Sequence, residues 1–180
     1  EHYPGMTEKA LRAIVDEAKC LNCHEALELH GGNRVNEVSV CAQCHVPNLS
    51  SSGRTLDLNV PEDAQSMKDM IHGIHASAVR TRDYEHVRNF RNANRPYNWS
   101  EVTFPRGAST SNCALCHEDG TYELPLADGL LATTVRTTGV VDGMDPTTGD
   151  VVTARDGLNL PNDTDWVNTP QGSSCFYCHT

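Results

Sequence analysis

Cys20-Leu21-Asn22-Cys23-His24, Cys41-Ala42-Gln43-Cys44-His45, Cys113-Ala114-Leu115-Cys116-His117 and Cys175-Phe176-Tyr177-Cys178-His179 contain every cysteine of this 180-residue chain. Four C-x-x-C pairs at one spacing, each followed by histidine, read as attachment sequences for c-type haem. Two thiols three positions apart reach the two vinyl groups of one porphyrin as thioethers. The adjacent imidazole then ligates the iron from the proximal side. Zinc ribbons and thioredoxin-like motifs also use C-x-x-C, and eight cysteines could build a disulfide framework. None of these asks for histidine after every pair. Histidine is 9 of 180 residues, so four successes in four by chance fall below about 1 in 100,000, which makes the motif reading specific.

The expected cofactors are therefore four covalently bound haem c groups. Cys20, Cys23, Cys41, Cys44, Cys113, Cys116, Cys175 and Cys178 would hold the porphyrins, and His24, His45, His117 and His179 the irons. This accounts for a thin composition. Hydrophobic residues are 38% and aromatics 6%, which leaves a core in need of another source of cohesion. The net charge of -10 disfavours nucleic acid, whose phosphates want Lys and Arg. No apolar run is long enough for a transmembrane segment. The start, Glu1-His2-Tyr3-Pro4-Gly5, has no signal-peptide apolar region.

Five histidines lie outside the motifs: His2, His30, His72, His75 and His86. Four irons need four distal ligands, so bis-His coordination is possible by count, with Met6, Met67, Met70 and Met144 as the competing type. His72 and His75 are three apart, offset by about 60° and about 4.5 Å along a helix. They cannot serve both sides of one iron, but can serve two adjacent irons.

The periodicity predicts a helix over 7–30 with His30 at its end, and a second from Pro61 to about Ala76. A β-hairpin is expected in 131–155, pairing Thr133–Thr137 with Val151–Thr153, and loop over 156–174. The short spacer between the first two motifs places haems one and two close together. Arg80, Arg82, Arg88, Arg91, Arg95 and Arg106 are expected to meet haem propionates or local carboxylates. The fold class is thus a loop-rich multihaem cytochrome c, with few short α-helices and a hairpin wrapped around four closely packed haems. It is read as one domain, 1–180, with a lobe for haems one and two (about 7–79) and one for haems three and four (about 80–180).

The chain resembles the haem domains of the bacterial outer-membrane multihaem cytochromes of the OmcA/MtrC family. The resemblance rests on Cys20–His24, His30-Gly31-Gly32-Asn33-Arg34, Cys41–His45 with Pro47, and Lys68-Asp69-Met70-Ile71-His72-Gly73-Ile74-His75. Val102-Thr103-Phe104-Pro105 before Cys113–His117, and Leu124-Pro125 after it, complete the match. It implies bis-His haems with His30, His72 and His75 as distal ligands. It also implies export to the periplasm or the cell surface, and electron transfer to other redox proteins or extracellular acceptors. Such domains usually continue to a fifth haem, whereas this chain stops at Thr180. The missing distal ligand would come from His86, from His2 or from a neighbouring molecule. Two alternatives follow. One is a subunit of a homopolymeric cytochrome filament, a nanowire with haem stacking and an in-trans His ligand. The other is a reductase with an open haem site. The leading expectation is an electron carrier with no catalytic residue.

Overall fold

A computed structural model of the chain describes residues 13–32, 34–50, 62–90, 93–105, 108–136 and 165–176. The described helices are short: α1 Glu17–Cys20, α2 Val38–Cys44 and α3 Met67–His75. Three two-stranded antiparallel sheets accompany them: β1 Glu28–Leu29 with β2 Arg34–Val35, β3 Glu85–Phe90 with β4 Ala93–Asn98, and β5 Thr133–Arg136 with β6 Trp166–Asn168. Everything else described is turn, bend or single helical turn. The loop-rich architecture expected from the sequence is present.

Three local expectations are corrected. The helix over 7–30 is only α1 within the described residues, capped by Asp16, whose carboxylate accepts from Ala18 N at 2.8 Å. It ends in the turn of the first motif, and the chain then runs into β1. His30, Gly31 and Gly32 all have positive φ, at 58°, 84° and 73°. His30 therefore sits in the tight turn between β1 and β2, where Gly31 and Gly32 tolerate a backbone that side chains resist. The second helix starts at Met67, because Ser66 caps it: its hydroxyl accepts from Asp69 N and donates to the Asp69 carboxylate. Residues 62–66 are instead extended and buried. Finally, Thr133–Arg136 forms a strand, but its partner is Trp166–Asn168, within a stretch read as loop. Residues 151–153, the expected partner, lie outside the described residues. The β3–β4 hairpin runs in unbroken register from Glu85↔Asn98 to Phe90↔Ala93.

The centre of the fold is polar. Among the described residues the buried apolar side chains are Ala64, Ala76, Tyr84 and Val87, while Glu62, Asp63, Gln65, Ser66 and Asp69 are also buried. A buried carboxylate needs a cation or donors. Asp63 is met by Arg82 at 2.7 Å and by Glu85 N at 3.2 Å, and Glu62 by Arg136 at 2.8 Å. Asp69 accepts from Asn168 Nδ2 at 2.9 Å, which joins α3 to β6. Thr134 N donates to Pro47 O at 2.8 Å, and Gln65 N to Leu49 O at 2.8 Å. Segments far apart in sequence are thus joined by hydrogen bonds and ion pairs more than by apolar contact. Of the arginines expected to meet propionates or carboxylates, Arg82 pairs with the Asp63 carboxylate, and Arg80 lies over the Tyr84 ring at 5.9 Å.

Tyr84 is fully buried and donates its hydroxyl to Ala64 O at 2.8 Å. Burial, then Asp63 and Asp69, hold its pKa well above the usual value. Because the folded-state value exceeds the unfolded value of about 10, its contribution is intact below pH 10 and is lost as the pH rises further. Tyr84→Phe should cost about 1–2 kcal/mol in urea titrations at neutral pH, by orphaning the Ala64 carbonyl. It should also blunt the loss of stability above about pH 10. An unchanged alkaline profile would contradict this role.

Candidate functional site

The three described motifs fold alike. His24 N donates to Cys20 O at 3.0 Å, His45 N to Cys41 O at 2.9 Å and His117 N to Cys113 O at 2.9 Å. Each is one helical turn, which sets the two sulfurs and the histidine on adjoining faces. The three motifs occupy different surroundings (the end of α1, the end of α2 and an isolated turn at Cys113–Leu115), so the shared shape follows from the motif. In the fourth, Cys175 lies in a helical turn, Gly172–Phe176, and Cys178 and His179 lie outside the described residues.

The first and third motifs are bonded directly. Val15 and His117 form an isolated bridge, Asp16 N donates to Cys116 O at 3.0 Å, and Glu118 N to Ile14 O at 3.0 Å. Burial pushes the Cys20 thiol pKa up, with Cys116 adding to it, and burial then Cys23 do the same for Cys116. The Glu17 carboxylate of α1 accepts from Val38 N at the start of α2, so the helices that lead into the first and second motifs are tied together.

Each described motif histidine faces a histidine from outside the motifs. Ring centres are 5.9 Å apart for His24 and His75, 6.3 Å for His45 and His30, and 6.0 Å for His117 and His72. Two metal–nitrogen bonds of about 2 Å, plus about 1 Å from each nitrogen to its ring centre, also give about 6 Å. Ordinary aromatic contact spans the same distance. It would not, however, select a motif histidine and a non-motif histidine in all three pairs.

The second ring nitrogens fit the same use. His45 Nδ1 lies 2.8 Å from Gln65 O, His75 Nδ1 2.8 Å from Ile71 O, and His72 Nδ1 3.4 Å from Ser173 O. A carbonyl only accepts, so Nδ1 is the donor in each ring, and in a neutral imidazole that leaves Nε2 with the lone pair a metal needs. Burial lowers the pKa of His72 and of His117, which favours the neutral, ligating form.

The surroundings fit a large apolar group. The expected apolar stripe of α3, Met67, Met70, Ile71 and Ile74, is only half-buried, whereas Asp69 and Gly73 are its buried positions. Beside His75 is a cavity of about 260 Å³ lined by Ala78, Val79, Thr103, Phe104 and Ser109. Leu21 and Leu115, inside the motifs, are exposed. Among the described residues no three His, Cys, Asp or Glu side chains gather as a metal cluster, and the seven described cysteines are free.

His86 is placed otherwise. It is buried on β3, stacked on Tyr97 at 5.2 Å and edge-on to Tyr84 at 6.1 Å. His2 lies outside the described residues. Sequence reasoning had no means of finding the carbonyls of Gln65, Ile71 and Ser173, since any residue supplies one. Phe104, beside His75, entered the sequence reading only through the Val102–Pro105 element of the resemblance, and Trp99, whose buried indole N–H has no partner, carried no signal of a role.

Among the described residues no helix is long and apolar enough to cross a membrane. No curated protein and no solved structure matches the chain. The motifs led to the outer-membrane multihaem cytochromes, and the match found agrees: the family model for outer membrane cytochrome MtrC/MtrF-like, domains II/IV, matches residues 12–180, and the chain belongs to that family.

Proposed function

We propose that the chain is a tetrahaem c-type cytochrome unit that relays electrons through bis-His haems, at the cell surface or elsewhere outside the cytoplasm. The observation that carries this reading is the set of three imidazole pairs, 5.9 to 6.3 Å apart, each joining a motif histidine to a histidine from elsewhere. Family membership supports extracellular electron transfer as the setting. When bound, haem iron supplies one-electron exchange between Fe(III) and Fe(II) with no bond made or broken, at the low potential that two imidazoles favour over His/Met.

The residues divide this work as follows. The cysteines fix each porphyrin to the chain, and Cys178 with His179 would complete the fourth attachment. His24 with His75, His45 with His30, and His117 with His72 would each offer two imidazoles to one iron. The carbonyls of Gln65, Ile71 and Ser173 hold three of the rings in the ligating tautomer. The fourth iron would take His179 and a ligand from His86, His2 or a neighbouring molecule. No observation favours the filament. The partners are then other redox proteins or extracellular acceptors.

Denaturing mass measurement should find four covalent haems per chain, and the ferric protein should be wholly low-spin. His72→Ala should convert one haem in four to a high-spin form that binds carbon monoxide on reduction. Fewer than four haems would sink the tetrahaem reading. A high-spin, carbon monoxide-binding haem in the unaltered protein would favour a reductase instead.

A further inference from the structure

The three imidazole pairs are alike in distance and unlike in angle. The ring planes are 25° apart for His30 and His45 and 24° for His72 and His117, but 82° for His24 and His75. His72 and His75 leave the same helix one turn apart, so the difference lies in what holds each ring. His72 takes its carbonyl from Ser173, in the turn that begins the fourth motif. His75 takes its carbonyl from Ile71, four residues back on its own helix, and its ring meets Phe104 edge-on, at 6.0 Å and 75°.

Phe104 is itself held. It lies in an irregular segment after β4, between a turn closed by Val102 N to Trp99 O at 2.9 Å and one closed by Ala108 N to Pro105 O at 3.1 Å. It also lines the cavity beside His75. A ring with one nitrogen tied to a carbonyl and one edge against an aromatic wall has little freedom to turn about its Cβ–Cγ bond.

The geometry points to Phe104 as a positioning residue that keeps the imidazole of His75 nearly perpendicular to that of His24, so that the first haem is electronically distinct from the second and third. This rests on the bis-imidazole reading above. The physical reason is orbital overlap. Each imidazole has a filled π orbital normal to its ring, which mixes with the iron d orbital in the same direction. Parallel rings load one d orbital and split the pair, whereas perpendicular rings load both equally and leave them near-degenerate. A near-degenerate ferric iron keeps orbital momentum and gives one broad low-field electron paramagnetic resonance feature. A split pair gives a three-line rhombic signal. Parallel rings also both donate into the orbital that holds the ferric vacancy. The perpendicular pair gives up half of that stabilisation of Fe(III), so this haem accepts an electron more readily than a parallel one in equal surroundings.

The test is the ferric resonance spectrum of the fully haem-loaded protein and of Phe104 variants. The unaltered protein should show both a broad low-field low-spin feature and rhombic signals. Phe104→Leu should lose the low-field feature or shift it toward the rhombic set, with haem count unchanged. Phe104→Tyr, which keeps the ring and its edge, should retain it. Rhombic signals alone in the unaltered protein would overturn the perpendicular pair. A low-field feature unmoved in Phe104→Leu would overturn the role of Phe104. If Phe104→Leu fails to load its haems, Phe104→Met decides in its place by the same loss or retention. High-spin signals in the unaltered protein would instead count against bis-imidazole ligation itself, so the two failures are distinguishable.

Discussion

His72 and His75 stand three residues apart on α3, so their rings leave the helix on neighbouring faces and cannot meet the same partner. The described chain is arranged around that constraint. His117 comes to one ring and His24 to the other, and the bridge between Val15 and His117 holds the two motifs in register while they do so. The turn that opens the fourth motif packs on the same helix and gives its Ser173 carbonyl to His72. On the proposed reading, α3 is the piece against which three of the four attachment sites are set. The second motif is tied in through Met67 N, which donates to His45 O at 2.9 Å at the start of that helix.

On the proposed reading the Met and Ile side chains of this helix would lie beside the porphyrins, and they are only half-buried in the protein itself. The helix is anchored by polar contacts instead. Asp69 is fully buried and joined to Ser66 and Asn168. The acidic segment before it is clamped by Arg82 and Arg136. Hydrogen bonds and ion pairs of this kind are directional. They suit a fold that must hold imidazoles at set distances with only Ala64, Ala76, Tyr84 and Val87 as described buried apolar residues. The thin composition and the polar centre are two views of one requirement, that much of the apolar contact be supplied by something other than side chains.

The parts legible in the sequence were those with a covalent or periodic signature. The four C-x-x-C-H runs point to covalent haem, and the His30-Gly31-Gly32 and Met70–His75 elements carry the family resemblance, while the spacing of His72 and His75 carries the inference that they face different partners. Less legible were the features that depend on tertiary context. The periodicity of 7–30 is helical, yet the motif turn and the His30-Gly31-Gly32 turn break it after Cys20. Ser66 and Asp69 form a cap that starts α3 six residues later than Pro61 suggests. The pairing of β5 with Trp166–Asn168 joins strands 30 residues apart, with no turn signal to announce it. No spacing in the sequence announces that the first motif bonds to the third. The carbonyls that orient the imidazoles have no residue signature at all.

The central claim is the pairing of axial ligands, and an experimental density map of the haem-loaded protein, with both axial atoms of every iron assigned, tests it most directly. The account predicts His24 with His75, His45 with His30 and His117 with His72, all within one chain. A map in which any of these three irons is closed by methionine, by a histidine of another molecule, or by no side chain would contradict it.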